Sequence, residues 1–153
     1  MQLEVRRARG APDRERAYAL RREVFVVEQR VPEELERDEH DERDADHVLA
    51  LDERGRCVAA GRLVPLDART GKVGRMAVAA PLRGKGAGAA ILRELERIAA
   101  ERGLTEIVLH AQLTAKGFYD RAGYAAEGEA FEEAGIAHVA MRKRLGPRPT
   151  PRS

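Results

Sequence analysis

Glycine stands at every second position of Arg83-Gly84-Lys85-Gly86-Ala87-Gly88, directly ahead of the most amphipathic stretch of the chain. From Ala87 to Arg102, Ile91, Leu92, Leu95, Ile98 and Ala99 recur three or four apart with Glu and Arg opposite, which predicts a helix with one buried stripe and Gly103 as its stop. Before the glycines, Lys72 to Ala79 reads as a strand that Pro81 ends. A strand, a glycine turn and a helix in that order commit the chain to an α/β architecture. They also put unpaired amides and a positive helix end at one place, where they could cradle a phosphate.

The other elements follow from periodicity. Leu3 and Val5 alternate with polar neighbours in a first strand, and Gly10 breaks it. Pro12 and Asp13 open a helix carrying Ala17, Leu20 and Val24 on one face, ending near residues 24–27. His47 to Leu51 and Arg56 to Leu66 read as a hairpin around Glu53-Arg54-Gly55, with Gly61 a candidate bulge. Thr105 to Leu109 is a buried strand and Ala115 to Arg121 a short helix; two strands joined around Gly135 follow. One domain over residues 1–145 is expected, with 146–153 a disordered tail because that stretch lacks apolar residues.

Charge narrows the function classes. The 28 basic and 26 acidic residues leave +2, too balanced for a dedicated nucleic-acid binder. Only Lys72, Lys85, Lys116 and Lys143 are lysines; the other basic residues are arginine. No apolar run approaches the ~20 residues of a membrane span, and the N-terminus lacks the blocks of a signal peptide, so a cytoplasmic location is expected. Cys57 is single and reads as a small core residue; with four dispersed histidines it forms no zinc spacing, so no metal is expected. Residues 28–46 hold ten acids against three arginines. This run reads first as a solvated connection, and alternatively as an acidic rim that draws a cationic acceptor.

Three kinds of site use glycine loops. A P-loop needs Ser or Thr after its lysine, whereas Lys85 is followed by Gly86. Gly84, Gly86 and Ala89 satisfy a dinucleotide fingerprint, but no acidic residue ends the next strand, which runs into His110 and Ala111. Arg83, Gly86 and Gly88 match the Arg/Gln-x-x-Gly-x-Gly/Ala signature of the GCN5-related N-acetyltransferases (GNAT). A second block, Gln112-x-x-Ala115-x-x-Phe118-Tyr119-x-x-x-Gly123-Tyr124, resembles that family's later motif, with Gln for its usual Asn and Tyr124 for Phe. Val24-Phe25-Val26-Val27-Glu28-Gln29, the acidic segment with His47, Gly61-Arg62-Leu63, and the run from Glu133 through His138 to Met141 resemble the ElaA-type branch over residues 3–144. Ala137 stands where that branch carries Pro.

The resemblance implies the acyl-CoA N-acyltransferase fold: a mixed twisted sheet of six or seven strands flanked by helices and splayed near its centre. It implies acetyl-CoA as donor, with the pyrophosphate on the amides of Gly84, Lys85, Gly86, Ala87, Gly88 and Ala89, and charge from Arg83 and Lys85. It lays the pantetheine arm along Met76, Ala77 and Val78, with a main-chain amide near Val78 facing the thioester carbonyl. It makes Tyr119 the general acid for the leaving thiolate, Phe118 its packing neighbour, and Gln112 a contact to cofactor or substrate.

The residue that takes the amine proton is open among Glu28, His47, His110, Glu133 and His138; Glu28 and Glu133 lie in branch-specific blocks. The implied reaction is direct transfer to a primary amine in a ternary complex. A non-catalytic acyl-CoA-binding or regulatory module, an acetyltransferase of protein lysines or N-termini, and a dinucleotide site are the rival readings. A small-molecule or peptide acceptor is the expected partner, with no nucleic acid or membrane, and a homodimer is possible on the family's habit.

Overall fold

A computed structural model describes residues 2–146; the expected tail, apart from Gly146, lies outside the described residues. Seven strands form one sheet: β1 (Glu4–Arg7), β2 (Asp46–Leu51), β3 (Cys57–Pro65), β4 (Thr70–Val78), β5 (Glu106–Gln112), β6 (Ala125–Glu133) and β7 (Ile136–Arg144). Their spatial order is β1-β2-β3-β4-β5-β7-β6. Only β4 and β5 pair in parallel, and α4 (Ala87–Glu101) makes the crossover between them. α1 (Ala11–Arg21) runs on into a π-helical turn, Arg22–Glu28, and two one-turn helices follow, α2 (Glu33–Glu36) and α3 (His40–Arg43). A 3₁₀ turn, Leu113–Ala115, leads into α5 (Lys116–Arg121).

The stripe expected of α4 is its buried face: Ile91, Leu92, Leu95, Ile98 and Ala99 pack on Ala59, Leu63, Val73, Ile107 and Leu109 of the sheet. Gly61 makes that approach possible. A Cβ there would lie 2.6 Å from Met76 Sδ and 2.9 Å from methyl carbons of Ile91 and Leu95. The expected bulge is therefore not at Gly61 itself. The pairing passes from Ala60↔Ala77 to Arg62↔Gly74, so the extra residue belongs to β4, where Arg75 sits at φ 53°.

On the opposite face Ala17, Leu20 and Val24 pack against Ala60 and Ala77. Beside them the acidic run corrects its first reading, for it is folded into the structure. Arg21, 1% exposed, donates to Asp41 at 2.7 and 3.0 Å and to Glu36 at 2.9 Å. Arg62 donates to Asp38 at 2.7 Å and to Asp41 at 2.9 Å, and Arg75 to the Glu36 carbonyl at 2.8 Å. The His47 ring lies 2.8 Å from the Asp41 carbonyl oxygen, which also accepts from Tyr18. Burial raises the Asp41 carboxyl, but hydrogen bonding and charge from Arg21 outweigh it and hold the group well below the usual carboxylate range. The acidic-rim alternative loses the same acids: Glu36, Asp38 and Asp41 are spent on arginines, while Glu33, Glu34, Glu39 and Glu42 remain exposed on the outside.

Candidate active site

The parallel pairing of β4 and β5 stops at Val73↔Leu109, yet β4 continues to Val78 and β5 to Gln112. Between the diverging ends lies a cavity of about 840 Å³, closed on one side by the π-helical turn and on the other by the β6–β7 end. Beyond the splay β4 keeps a partner on one side only. Ala79 N–H bonds to the Val58 carbonyl, and Ala77 lies opposite Ala60. In an antiparallel ladder the residue between two such pairs turns its amide and carbonyl away from the partner strand. Val78 is that residue, and its carbonyl accepts from Arg83 Nε at 2.9 Å on the open side. Met76 and Val78 line the cavity with half-buried side chains, and Ala77 lines it from a buried position.

The glycine loop adjoins this free edge. Arg83 N–H closes a turn onto the Ala80 carbonyl, and Ala90 N–H is next to find a carbonyl, that of Gly86. The amides from Gly84 to Ala89 have no main-chain acceptor among the described residues. Gly86 caps α4 at φ 91°, where a side chain is strained, and a Cβ at Gly84 or Gly86 would meet nothing within 4 Å. The space over these amides is open, which fits an anionic group. Gly88 sits closer to its surroundings: a Cβ there would lie 3.5 Å from both Phe118 and Val78. Lys85 is exposed on the loop, and Arg83 donates to Glu28 at 2.7 Å.

α5 places Phe118 and Tyr119 edge to face, with ring centroids 4.9 Å apart. Phe118 packs against the core, and Tyr119, 7% exposed, lines the cavity. Burial raises the Tyr119 phenol far above its ordinary value, so the neutral hydroxyl is the form present. Its neighbour Tyr124 is engaged elsewhere, donating to Glu96 at 2.8 Å.

Glu133 lies at the far end of the cavity. Its carboxylate is 3.0 Å from His110 Nδ1 and 3.8 Å from His138 Nε2, with Phe131 stacked on His138 and edge-on to His110. Partial burial raises the Glu133 carboxyl, while His110, His138 and Lys72 together bring it below its usual value. Among the described residues no group of three His, Cys, Asp or Glu side chains could hold a metal. Glu28 does not share this place, since it pairs with Arg83 beside the loop. His47 is locked under the acidic segment. Gln112 donates to Gln29 at 2.8 Å, bridging β5 to the end of the π-helical turn. Gln29 and Lys72 both line the cavity and escaped the sequence reading as site residues. Gln29 stood in a quoted block without a role, and Lys72 looks like any polar residue of an alternating strand. Cys57 lies away from the cavity; burial pushes its thiol up to about 11.

Residues 8–145 match the family model described as an acetyltransferase (GNAT) domain. The chain belongs to the GNAT family. It is an acyl-CoA-dependent N-acetyltransferase by that membership. YyaT of Bacillus subtilis is 37% identical over 145 residues, covering 94% of this chain and 97% of YyaT. YjcF of the same organism, described as an uncharacterized N-acetyltransferase, is 40% identical over 128 residues, 83% of this chain and 89% of YjcF. Among solved structures, a Lactobacillus plantarum protein superposes with a TM-score of 0.87 at 29% identity, covering 95% of this chain and 99% of the other. Escherichia coli ElaA superposes at 0.81 with 27% identity, covering 93% and 99%. No helix of the described residues is long and apolar enough to cross a membrane.

Proposed function

We propose that residues 1–145 form a catalytic domain that moves an acetyl group from acetyl-CoA directly to a primary amine. One juxtaposition carries the reading. The outward N–H of Val78 and the neutral Tyr119 hydroxyl border a single opening between two strands, and Arg83, which lines the same opening, leads directly into a row of amides without carbonyl partners. An aminoglycoside 6′-N-acetyltransferase complexed with coenzyme A shares the fold, with a TM-score of 0.73 at 17% identity.

Acetyl-CoA, when bound, supplies the activated acyl carbon. The loop amides from Gly84 to Ala89 and the charges of Arg83 and Lys85 hold its phosphates. Met76, Ala77 and Val78 offer a strand edge for the pantetheine arm, and the Val78 N–H donates to the acyl oxygen as negative charge develops there. Phe118 and Gly88 keep that edge close to the loop, and Gln112 fixes the wall opposite through Gln29.

Transfer forms one C–N bond and breaks one C–S bond. The nitrogen must be a neutral amine, so its ammonium proton leaves first, to Glu133 directly or through water. The departing sulfur takes the Tyr119 hydroxyl proton, and the proton shed by the new amide nitrogen restores the phenol through the cavity. Glu28 acts by holding Arg83 in place beside the loop.

Calorimetry with acetyl-CoA, CoA and NADH, followed by thiol release against a panel of amines, tests the proposal. Acetyl-CoA and CoA bind and NADH does not. Gly86→Asp abolishes donor binding, and Tyr119→Phe lowers kcat by about a hundredfold with little change in donor affinity. Failure to bind acetyl-CoA or CoA would overturn the reading, and binding without turnover of any amine would leave a regulatory module in its place.

A further inference from the structure

The cavity's charges leave an asymmetric remainder once the ion pairs are counted out. Arg62 is spent on Asp38 and Asp41, Arg75 on Glu36 and Asp38, Arg83 on Glu28, and His40 on Asp44. Glu36 and Asp38, the other acids on the wall, are thereby neutralised. Two groups remain. Glu133 is held by imidazoles rather than by a permanent cation. Lys72 is half-buried on the cavity wall and makes no ion pair or side-chain hydrogen bond among the described residues.

Strand alternation puts these groups on one surface. Lys72 lies opposite Val108 on β5 and Val64 on β3, and His110 follows Val108 by two residues on the same face. Gln112 and His138 are directly opposed further along. Lys72 therefore stands before the splay and the His110–Glu133–His138 group along it. The two are near enough for Lys72 to help keep Glu133 ionised, yet not in contact.

The same cavity wall also carries aliphatic side chains. Val31, Leu35, Val64, Leu66 and Ile136 line the cavity, and Leu35 and Leu66 are 54% and 53% exposed. Large aliphatic side chains left open at the mouth of a charged cavity offer apolar surface to whatever enters.

Resting on the acetyltransfer proposed above, we propose that the acceptor is an amine that also bears a carboxylate and an apolar side group, a hydrophobic amino acid, with Lys72 binding the carboxylate and Glu133 receiving the amine. A polyamine or another polycation is the wrong complement. It would bring extra positive charge toward Lys72, with Glu133 as the one acid on the wall not paired to arginine. An anionic amine satisfies both unspent groups and leaves its side chain against the aliphatic wall.

The test is thiol release at saturating acetyl-CoA with L-leucine, L-leucinamide, isoamylamine and spermidine as acceptors. Leucine is expected to exceed leucinamide in kcat/KM by about tenfold or more, because only the acid gives Lys72 a charged partner. In Lys72→Gln the leucine-to-leucinamide ratio collapses toward one, and Lys72→Arg preserves it. Acetyl-CoA affinity measured by calorimetry stays within about twofold in both variants, which separates an acceptor effect from damage to the fold. Equal or better turnover of leucinamide or spermidine, an unchanged ratio in Lys72→Gln, or turnover of none of the four amines would overturn the assignment. Failure of the wild-type chain to bind acetyl-CoA would instead defeat the acetyltransfer reading beneath it.

Discussion

α4 and the stretch from α2 to His47 cover the sheet from opposite faces, and they do so with different chemistry. Under α4 the contact is aliphatic: Ile91, Leu95 and Ile98 are fully buried against Leu63 and Ile107. Under α2 and α3 it is ionic, with Arg21, Glu36, Asp41 and Arg62 buried together and every buried polar side-chain atom partnered. An apolar cover tolerates small errors of position, because dispersion contacts are many and undirected. An ionic cover does not, since each charge removed from water needs its own partner in place. The consequence for function is positional: the ionic cover fixes the π-helical turn and Arg75 at the wall of the cavity, while α4 carries the glycine loop.

The comparison can be broken most severely from the ionic side. Asp41→Ala leaves Arg21 buried with half its partners gone, and a loss of about 3–5 kcal/mol in urea-unfolding free energy is expected. A loss under 1 kcal/mol would show that the network carries little of the fold. On the apolar side Leu95→Ala, at the centre of the α4 stripe, is expected to cost about 2–5 kcal/mol by the same measurement.

Acid separates the two covers without mutation. Asp41 and Asp38 titrate below their ordinary 3.8 when folded, so the unfolded chain binds protons first, and their contribution is lost as pH falls from about 4. Burial also lowers the ring pKa of His47 from 6.5, so its loss begins earlier but has the same sign. The urea midpoint should fall steadily between pH 6.5 and 3, with a shallower slope in Asp41→Asn. A flat midpoint over that range would assign stability to the apolar cover alone.

The same contrast explains what the sequence disclosed. The α4 stripe is written in local spacing, so the helix was expected at 87–102 and found at 87–101. The glycine loop is equally local, because a helix start and its free amides are set by a few adjacent residues. The acidic run misled because its partners, Arg21, Arg62 and Arg75, lie on other elements; residues 28–46 taken alone look like a solvated charge run. The extra residue in β4 was illegible for a related reason. Arg75 looks like an ordinary strand residue, and only the registers of Ala60 and Arg62 reveal that it and Met76 together face the single residue Gly61. Around Glu133 the residue was visible as a candidate, but its grouping with His110 and His138 needed the pairing of β5, β6 and β7. Glu28, visible on the same grounds, turned out to stand beside Arg83 instead.

That contact between Glu28 and Arg83 bears on how donor affinity is to be understood. The guanidinium at the loop already has a carboxylate as counter-ion, so on the proposed reading an incoming phosphate would exchange one anion for another rather than meet a bare charge. Any dissociation constant measured for the donor is then a difference between two pairings. On the proposed reading, the loop's selectivity would rest more on the number and direction of its main-chain amides than on the strength of its charge.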